Sequence, residues 1–142
     1  MSYPTRSIER MVNYADTDAG GVVYYGRYLE FLEAGRMEYL QAIGCDAVEC
    51  HRQGIFFAVR EVHITYRAPA RLGDLVRVIS TVTEVTRAHM TFHAEVRESQ
   101  SDRLLIEADV KCICMNPEGR LLPLPESLRT ALQNPAESPN EV

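Results

Sequence analysis

The sequence predicts an α+β domain in which a five-stranded antiparallel sheet wraps around one long central helix. Three observations lead to this prediction. In the second half of the chain, apolar side chains alternate with polar ones, as in strands with one covered face. One earlier segment instead repeats its apolar residues at helical spacing. Finally, one predicted strand precedes this helix and four follow it.

The strands are predicted from alternation and from β-branched residues. Alternation is clearest in the last two, where apolar side chains recur at every second position. The predicted strands are a first one marked by Ile8, Val12 and Tyr14, and then residues 56–66, 75–85, 89–97 and 103–114. Clean alternation is typical of antiparallel strands with one covered and one partly polar face.

The long helix is predicted from Tyr28 to Ile43, with Gly44 as its stop. One half of its helical wheel is apolar, and consists of Tyr28, Leu29, Phe31, Leu32, Gly35, Tyr39, Leu40 and Ile43. Arg36 also falls on this half, and Glu33 stands at the right spacing to neutralise it. We therefore expect an ion pair between these two side chains. Shorter helices are predicted for residues 47–53 and after Pro125.

One helix cannot cover both faces of a five-stranded sheet, so the sheet should curl around it and leave its outer face and edges open. Open edges of this kind predict self-association into a dimer or tetramer. We see no internal repeat or domain boundary, so residues 1–133 are predicted to form a single domain. Residues 134–142 are predicted to be a disordered tail.

Composition excludes several classes of function. The net charge is −5, and no basic stripe of the nucleic-acid-binding type is present. No apolar run approaches the roughly 20 residues that cross a bilayer, and the first residues are not of signal-peptide type. We therefore expect a cytoplasmic protein without an integral membrane segment. The four cysteines lack zinc-site spacing, so they are predicted to be buried, reduced thiols and no metal is expected.

The chemistry is predicted to lie between the first strand and the long helix, in residues 14–28. This segment holds two aspartates, three glycines and four tyrosines, and a helix N-terminus follows. Backbone N–H groups there can stabilise an oxyanion, and a carboxylate just upstream can attack a carbonyl or activate water. The alternative is that Asp16 and Asp18 only shape a turn or cap the helix. A calcium-binding EF-hand loop is excluded, because its fifth and twelfth positions would be Gly20 and Arg27.

Residues 16–24, which read Asp-Thr-Asp-Ala-Gly-Gly-Val-Val-Tyr, resemble the 4-hydroxybenzoyl-CoA thioesterase family of hot-dog proteins. Tyr28, the stretch Glu33-Ala-Gly-Arg36 and residues 66–74 extend the likeness. Within that family, the sequence is most similar to the bacterial acyl-CoA thioesterases associated with the Tol–Pal system. The resemblance implies a hot-dog fold and hydrolysis of an acyl-CoA thioester to free acid and CoA, without a cofactor.

The resemblance also implies a reacting centre. Asp18 matches the family's catalytic aspartate, acting as nucleophile or general base, and both roles require the ionised form that carboxylates ordinarily have near neutrality. Asp16 is then expected to be structural and to shape the turn. The rival for the catalytic role is Glu33, since other hot-dog thioesterases place a carboxylate on this helix.

Tyr14 matches a tyrosine that accompanies this aspartate, although a core position at the strand end is an equal alternative. The backbone N–H groups of Tyr25 and Gly26 match the family's carbonyl-binding site. Tol–Pal-type members commonly have His where this chain has Tyr25, which leaves the acyl preference open.

Three further residues are implied in substrate binding. Arg87, in a predicted turn between strands, matches the region of the family's phosphate contacts to CoA. Tyr24 belongs to the signature, and His89 stands where the family often has a small hydroxyl residue. His89 is then a polar group of the pocket or, as the alternative, a solvated side chain at the start of a strand. In this family the pocket is lined by two subunits, so one chain does not complete it.

Two other functions stay open. A non-catalytic protein that binds acyl-CoA or acyl carrier protein is the main alternative. A hot-dog dehydratase is less favoured, because that chemistry generally uses a pocket His paired with an acid, and neither the helix nor the preceding loop contains a His.

Overall fold

The computed structural model describes residues 3–133, which form an antiparallel sheet folded around a long helix. The strands are β1 (Thr5–Met11), β2 (Phe56–Tyr66), β3 (Leu75–Val85), β4 (Met90–Glu98), β5 (Leu104–Met115) and β6 (Leu121–Leu122). The helices are α1 (Tyr28–Ile43), α2 (Ala47–Arg52) and α3 (Glu126–Gln133). Single 3₁₀ turns occur at Tyr14–Asp16 and at Tyr25–Arg27. The predicted tail, residues 134–142, lies outside the described residues.

The sheet order is β1-β3-β4-β5-β2, with every neighbouring pair antiparallel. This confirms the five predicted strands and the helix that they surround. A sixth strand, β6, pairs with the end of β5, and its two residues are too few to show an alternation. The first strand ends earlier than predicted, at Met11, so Val12 and Tyr14 lie beyond it. Tyr14 is 82% exposed, which rules out the core position considered for it.

The two ends of the sheet differ in what surrounds them. We call the end formed by Met11, Tyr66, Leu75, Glu98 and Leu104 the Tyr66 end. The opposite end, formed by Thr5, Phe56, Val85, Met90 and Met115, is called the hairpin end, because the tight β3–β4 turn lies there. The segment that joins β1 to α1 leaves the sheet at the Tyr66 end.

Helix α1 buries the predicted face against the concave side of the sheet. The residues buried are Tyr28, Phe31, Leu32, Gly35, Tyr39, Leu40 and Ile43. Leu29 was assigned to the same face but is exposed. Tyr39 is fully buried and packs edge-on against Phe92, with 5.2 Å between ring centroids. Gly44 ends the helix in the left-handed conformation, at φ 94°.

The predicted ion pair between Glu33 and Arg36 is wrong. Glu33 is exposed and Arg36 half-buried, and neither has an ion-pair partner within residues 3–133. Helical spacing brings two such residues to the same side of a helix. It does not fix their side-chain rotamers, so it does not ensure that their charged groups meet.

The four cysteines are buried free thiols, as predicted. Burial raises the pKa of Cys45 and of Cys114 to about 12. Both thiols are therefore protonated at neutral pH, and neither is available as a thiolate nucleophile. Within residues 3–133, none of the helices combines the length and apolar character needed to cross a bilayer.

Gly35 is a point of close approach between α1 and β3. A Cβ at this position would lie 2.9 Å from both Ser80 Oγ and Val78 Cγ1 in β3. Real Cβ atoms do not approach that closely, so glycine is what permits this helix–strand distance.

Gly35→Ala should therefore destabilise the protein by about 1–3 kcal/mol through overpacking, and urea unfolding measures this loss. In an uncrowded helix, the same change would raise the free energy of unfolding by about 1 kcal/mol. The sign of the change in the free energy of unfolding therefore distinguishes a crowded helix from an uncrowded one. A more stable Gly35→Ala variant would contradict the close approach.

Candidate active site

Asp18 lies at the tip of a tight hairpin between β1 and α1. The Asp18 N–H donates to the Val22 carbonyl at 2.9 Å, and the Gly21 N–H donates back to the Asp18 carbonyl at 3.1 Å. Gly21 adopts φ 77°, which L-residues with side chains rarely do. The glycine pair in the sequence is thus used to close this turn.

The Asp18 carboxylate is exposed, with one oxygen held and one free. Its Oδ1 accepts the Gly20 N–H at 2.8 Å, and a Cβ on residue 20 would come within 3.3 Å of that oxygen. Oδ2 has no hydrogen-bond or ion-pair partner within the described part of the chain. The hairpin therefore orients the carboxylate and leaves one oxygen able to act on a ligand or a water molecule.

The hairpin is fixed to the segment between β2 and β3. The Leu72 N–H donates to the Gly21 carbonyl at 3.0 Å, and the Val23 N–H donates to the Ala70 carbonyl at 2.9 Å. Residues 16–24 and 66–74, two separate motifs in the sequence, thus form one unit at the Tyr66 end.

Asp16, two residues away, is buried, and both of its carboxylate oxygens accept hydrogen bonds. It is 8% exposed. Its Oδ2 accepts the Asn13 N–H at 3.0 Å, and its Oδ1 accepts from Arg27 Nε at 3.1 Å. Hydrogen bonds to Asp16 and then to Glu30 raise the pKa of Arg27. These contacts fit the structural role expected for Asp16.

The start of the helix presents two free donors. The 3₁₀ turn Tyr25–Arg27 leads directly into α1. The backbone N–H groups of Tyr25 and Gly26 have no acceptor among residues 3–133. Such unpaired groups carry the positive end of the helix dipole and favour an oxygen anion. The Tyr24 ring lies against Gly26, where a Cβ would meet Tyr24 Cε2 at 2.9 Å.

Four tyrosines, Tyr24, Tyr25, Tyr28 and Tyr66, form a cluster beside these donors. Ring centroids of Tyr24 and Tyr25 are 4.7 Å apart, and those of Tyr28 and Tyr66 are 5.8 Å apart. The Tyr66 hydroxyl donates to the Tyr25 carbonyl at 3.2 Å. A side-chain hydrogen bond with Tyr25 raises the pKa of Tyr24, so its phenol is neutral at neutral pH. The sequence does not indicate this role of Tyr66, because only folding brings β2 to the start of the helix.

Arg87 and His89 do not join this group within one chain. Both lie in the β3–β4 turn at the hairpin end, the length of an eleven-residue strand away from the hairpin of Asp18, or roughly 33 Å. His89 Nε2 is 2.7 Å from Glu84 Oε1, and its Nδ1 is 3.2 Å from Thr86 Oγ1. Tyr14, exposed just after β1, makes no ring contact with the four tyrosines.

No group of three His, Cys, Asp or Glu side chains within residues 3–133 is arranged to hold a metal ion. The chemistry that the arrangement offers is that of a carboxylate and two backbone donors. This combination suits addition to a carbonyl carbon with stabilisation of the resulting oxyanion.

Comparison with known proteins places the chain in a family. Residues 12–132 match the thioesterase-like superfamily. The acyl-CoA thioesterase YbgC of Haemophilus influenzae is 36% identical over 136 residues, covering 94% of each chain. A 1,4-dihydroxy-2-naphthoyl-CoA hydrolase of Synechocystis is 31% identical over 131 residues, covering 90% of this chain and 94% of the relative.

Solved structures agree with this placement. The Synechocystis thioesterase Slr0204 superposes with a TM-score of 0.84 at 27% identity, covering 92% of this chain and 97% of the other. The chain therefore belongs to the thioesterase-like superfamily and has the hot-dog fold. This confirms the family and the fold expected from the motif around Asp16 and Asp18.

The different surroundings of the two aspartates generate a stability prediction. Asp16→Ala should lower the free energy of unfolding by about 2–3 kcal/mol, because it removes a buried charged acceptor and leaves the Asn13 N–H unpaired. Asp18→Ala, the matched control on an exposed turn, should cost less than about 1 kcal/mol. Urea unfolding at equal protein concentration measures the free energy of unfolding of both variants. Equal losses of stability would contradict a structural role for Asp16 that Asp18 does not share.

Proposed function

We propose that this protein hydrolyses an acyl-CoA thioester to the free acid and CoA, with Asp18 as the catalytic carboxylate. Its relatives include proteins named as acyl-CoA thioesterase and as 1,4-dihydroxy-2-naphthoyl-CoA hydrolase. The observation that carries the proposal is local. An exposed carboxylate with one free oxygen stands in the segment that leads to α1, and the N–H groups of Tyr25 and Gly26, in the 3₁₀ turn just before α1, have no acceptor within residues 3–133.

In this mechanism Asp18 acts on the thioester carbonyl in one of two ways. As a nucleophile, it attacks the carbonyl carbon, the C–S bond breaks with release of the CoA thiolate, and water then cleaves the mixed anhydride. As a general base, it takes a proton from the water that attacks. In both, the N–H groups of Tyr25 and Gly26 hold the carbonyl oxygen as it becomes negative.

The aromatic side chains next to these donors provide the walls of the reacting centre. Tyr24 covers Gly26, and the hydroxyl of Tyr66 holds the Tyr25 carbonyl, so both fix the backbone that binds the oxyanion. Tyr14, exposed beside the hairpin, is proposed to assist Asp18 once substrate covers it.

The phosphates of CoA are proposed to bind at the hairpin end. Arg87 lines a cleft of about 270 Å³ together with Arg129, and none of the lining residues within the described part of the chain is acidic. In a protein of net charge −5, such a cleft is a local site for a polyanion. His89 lies at the same end and is proposed to give a polar contact to the pantetheine arm.

A second copy of the chain is needed to bring the two ends together. Strand β2 is an eleven-residue edge strand with exposed Val59, Val62 and Tyr66. Pairing of two such edges about a two-fold axis is antiparallel. The hairpin end of one copy then lies beside the Tyr66 end of the other. Arg87 of one copy can therefore bind the phosphates of a CoA substrate whose thioester lies at Asp18 of the second copy. We propose such a dimer, and its further assembly into a tetramer.

Asp18→Asn tests the catalytic carboxylate. Asn preserves the side-chain size and can still accept the Gly20 N–H, but it cannot attack or take a proton. The kcat for acyl-CoA hydrolysis should fall by at least ~10²-fold, with little change in KM and an unchanged Tm. Release of free thiol across a panel of acyl-CoA substrates gives the rate.

Glu33→Gln is the control, since other hot-dog thioesterases place their carboxylate on this helix. Glu33 is exposed and has no ion-pair partner within residues 3–133, so Gln should preserve kcat. Loss of activity in Glu33→Gln with retention in Asp18→Asn would move the site onto α1. A wild-type protein that binds acyl-CoA without releasing thiol would instead indicate a non-catalytic binding protein.

The edge-to-edge dimer predicts that light scattering gives a multiple of 16.1 kDa. The double variant Val59→Lys with Val62→Lys should be a folded monomer without hydrolase activity, because charges on an edge strand oppose pairing. Leu121→Lys, at a still more exposed apolar position away from β2, should stay oligomeric and active. A monomeric wild-type protein that still hydrolyses acyl-CoA would overturn both the interface and the shared site.

A further inference from the structure

Residues 66–74, the β2–β3 segment, lie between the Asp18 hairpin and the start of α1. The two backbone hydrogen bonds described above join this segment to the hairpin. The segment is also anchored to the sheet, because the Arg67 and Ala68 N–H groups both donate to the Leu105 carbonyl of β5, at 2.8 and 3.1 Å. The β2–β3 segment is therefore a fixed support for the hairpin.

The first contact between this support and the start of α1 is made by Tyr28. The Ala70 N–H donates to the Tyr28 hydroxyl at 3.2 Å, and the Ala70 carbonyl accepts the Val23 N–H at 2.9 Å. One residue thus binds the helix with its N–H group and the hairpin with its carbonyl. Both Ala70 and Tyr28 are buried, so little water competes for these bonds. The Tyr28 hydroxyl therefore fixes the position of the hairpin, and with it Asp18, relative to α1.

The second contact is made by Tyr66, whose hydroxyl donates to the Tyr25 carbonyl at 3.2 Å. This carbonyl belongs to the same peptide unit as the Gly26 N–H, one of the two free donors. A trans peptide unit is planar, so its C=O and N–H point in opposite directions. A hydrogen bond to the carbonyl therefore orients the N–H, and it also polarises the peptide unit so that the N–H becomes a stronger donor.

Both hydroxyls are protonated near neutral pH. Burial is the main cause that raises the pKa of Tyr28 and of Tyr66 above the ordinary value of a tyrosine. A phenolate has no proton to donate, so the contact of Tyr66 with the Tyr25 carbonyl requires this neutral form.

We infer that Tyr66 and Tyr28 are positioning residues, which hold the Asp18 carboxylate and the oxyanion donors in a fixed relation. Tyr66 orients and polarises the Gly26 N–H, and Tyr28 fixes the spacing between the hairpin and the helix. The inference rests on the proposed thioesterase function. Such positioning matters for rate, because a misplacement of about 1 Å can cost about 10²-fold.

Removal of each hydroxyl alone tests the inference. Tyr66→Phe and Tyr28→Phe preserve the two rings, whose centroids are 5.8 Å apart, and each removes one hydrogen bond. Each variant should lower kcat at saturating acyl-CoA by about tenfold or more. The KM should change by less than about twofold, because a contact that orients the oxyanion donors acts mainly in the transition state.

Tyr39→Phe is the matched control. The Tyr39 hydroxyl also joins α1 to a backbone carbonyl, that of Pro4 at 2.8 Å, but it lies in the second half of the helix, away from the Asp18 hairpin. Its loss should lower the Tm and preserve kcat. If the three hydroxyls contributed only to stability, all three variants would lower the Tm and preserve kcat.

Infrared spectroscopy of a bound substrate separates the two roles. The probe is the acyl-CoA with the highest kcat/KM in the panel, labelled with ¹³C at its thioester carbonyl and bound to Asp18→Asn protein. Binding should lower the carbonyl stretching frequency, because donors to the oxygen weaken the C=O bond. Adding Tyr66→Phe should remove about half of this shift or more. Adding Tyr28→Phe should preserve the shift, because this change alters spacing and leaves the donors in place.

A wild-type kcat in Tyr66→Phe or in Tyr28→Phe would overturn the positioning role of that residue and leave the thioesterase assignment intact. A loss confined to KM, or an equal loss of kcat in Tyr39→Phe, would overturn both roles. A full carbonyl shift in the Tyr66→Phe protein would overturn its action on the Gly26 N–H. Absence of thiol release from every acyl-CoA by the wild-type protein would instead overturn the proposed function.

Discussion

The buried carboxylate of Asp16 is the contact on which the rest of the candidate site depends. It binds the Asn13 N–H, where the chain leaves β1, and Arg27, where it enters α1. The segment between these two contacts is therefore held at both ends, and residues 17–24 can form a tight hairpin over the β2–β3 segment. Together with the bonds that hold the hairpin to the β2–β3 segment, this tether fixes exposed Asp18 relative to the free N–H groups of the 3₁₀ turn before α1.

A second constraint is that a single helix fills the concave face of the sheet. Gly35 allows α1 to lie directly on β3, which packs the helix toward the β1–β3 side. Toward β2 the contact is looser, and a cavity beside Arg36 lies there. The closely packed side supplies stability. The looser side lies next to the open edge of β2.

The elements that local spacing determines could be predicted from the sequence. Apolar periodicity marked α1 and the five long strands because burial on one face requires it. It missed β6, which only pairs because β5 extends past Met90. It also misjudged Leu29, which is exposed although its wheel position is apolar, and the Glu33–Arg36 pair, because helical spacing does not fix side-chain rotamers. The role of Tyr66 is a long-range contact across 41 residues, and no local pattern reports it.

Asp16 and Asp18 show why residue type alone could not assign the site. Both stand in a glycine-rich turn and both accept backbone N–H groups, as a turn residue would. Folding separates them: one has both oxygens engaged and lies buried beside a guanidinium, and the other has an oxygen free at the surface. A carboxylate whose lone pairs are already used cannot attack a carbonyl without losing stabilising contacts. The physical difference between a structural and a chemically available aspartate is therefore the number of its oxygens that the fold leaves unbound.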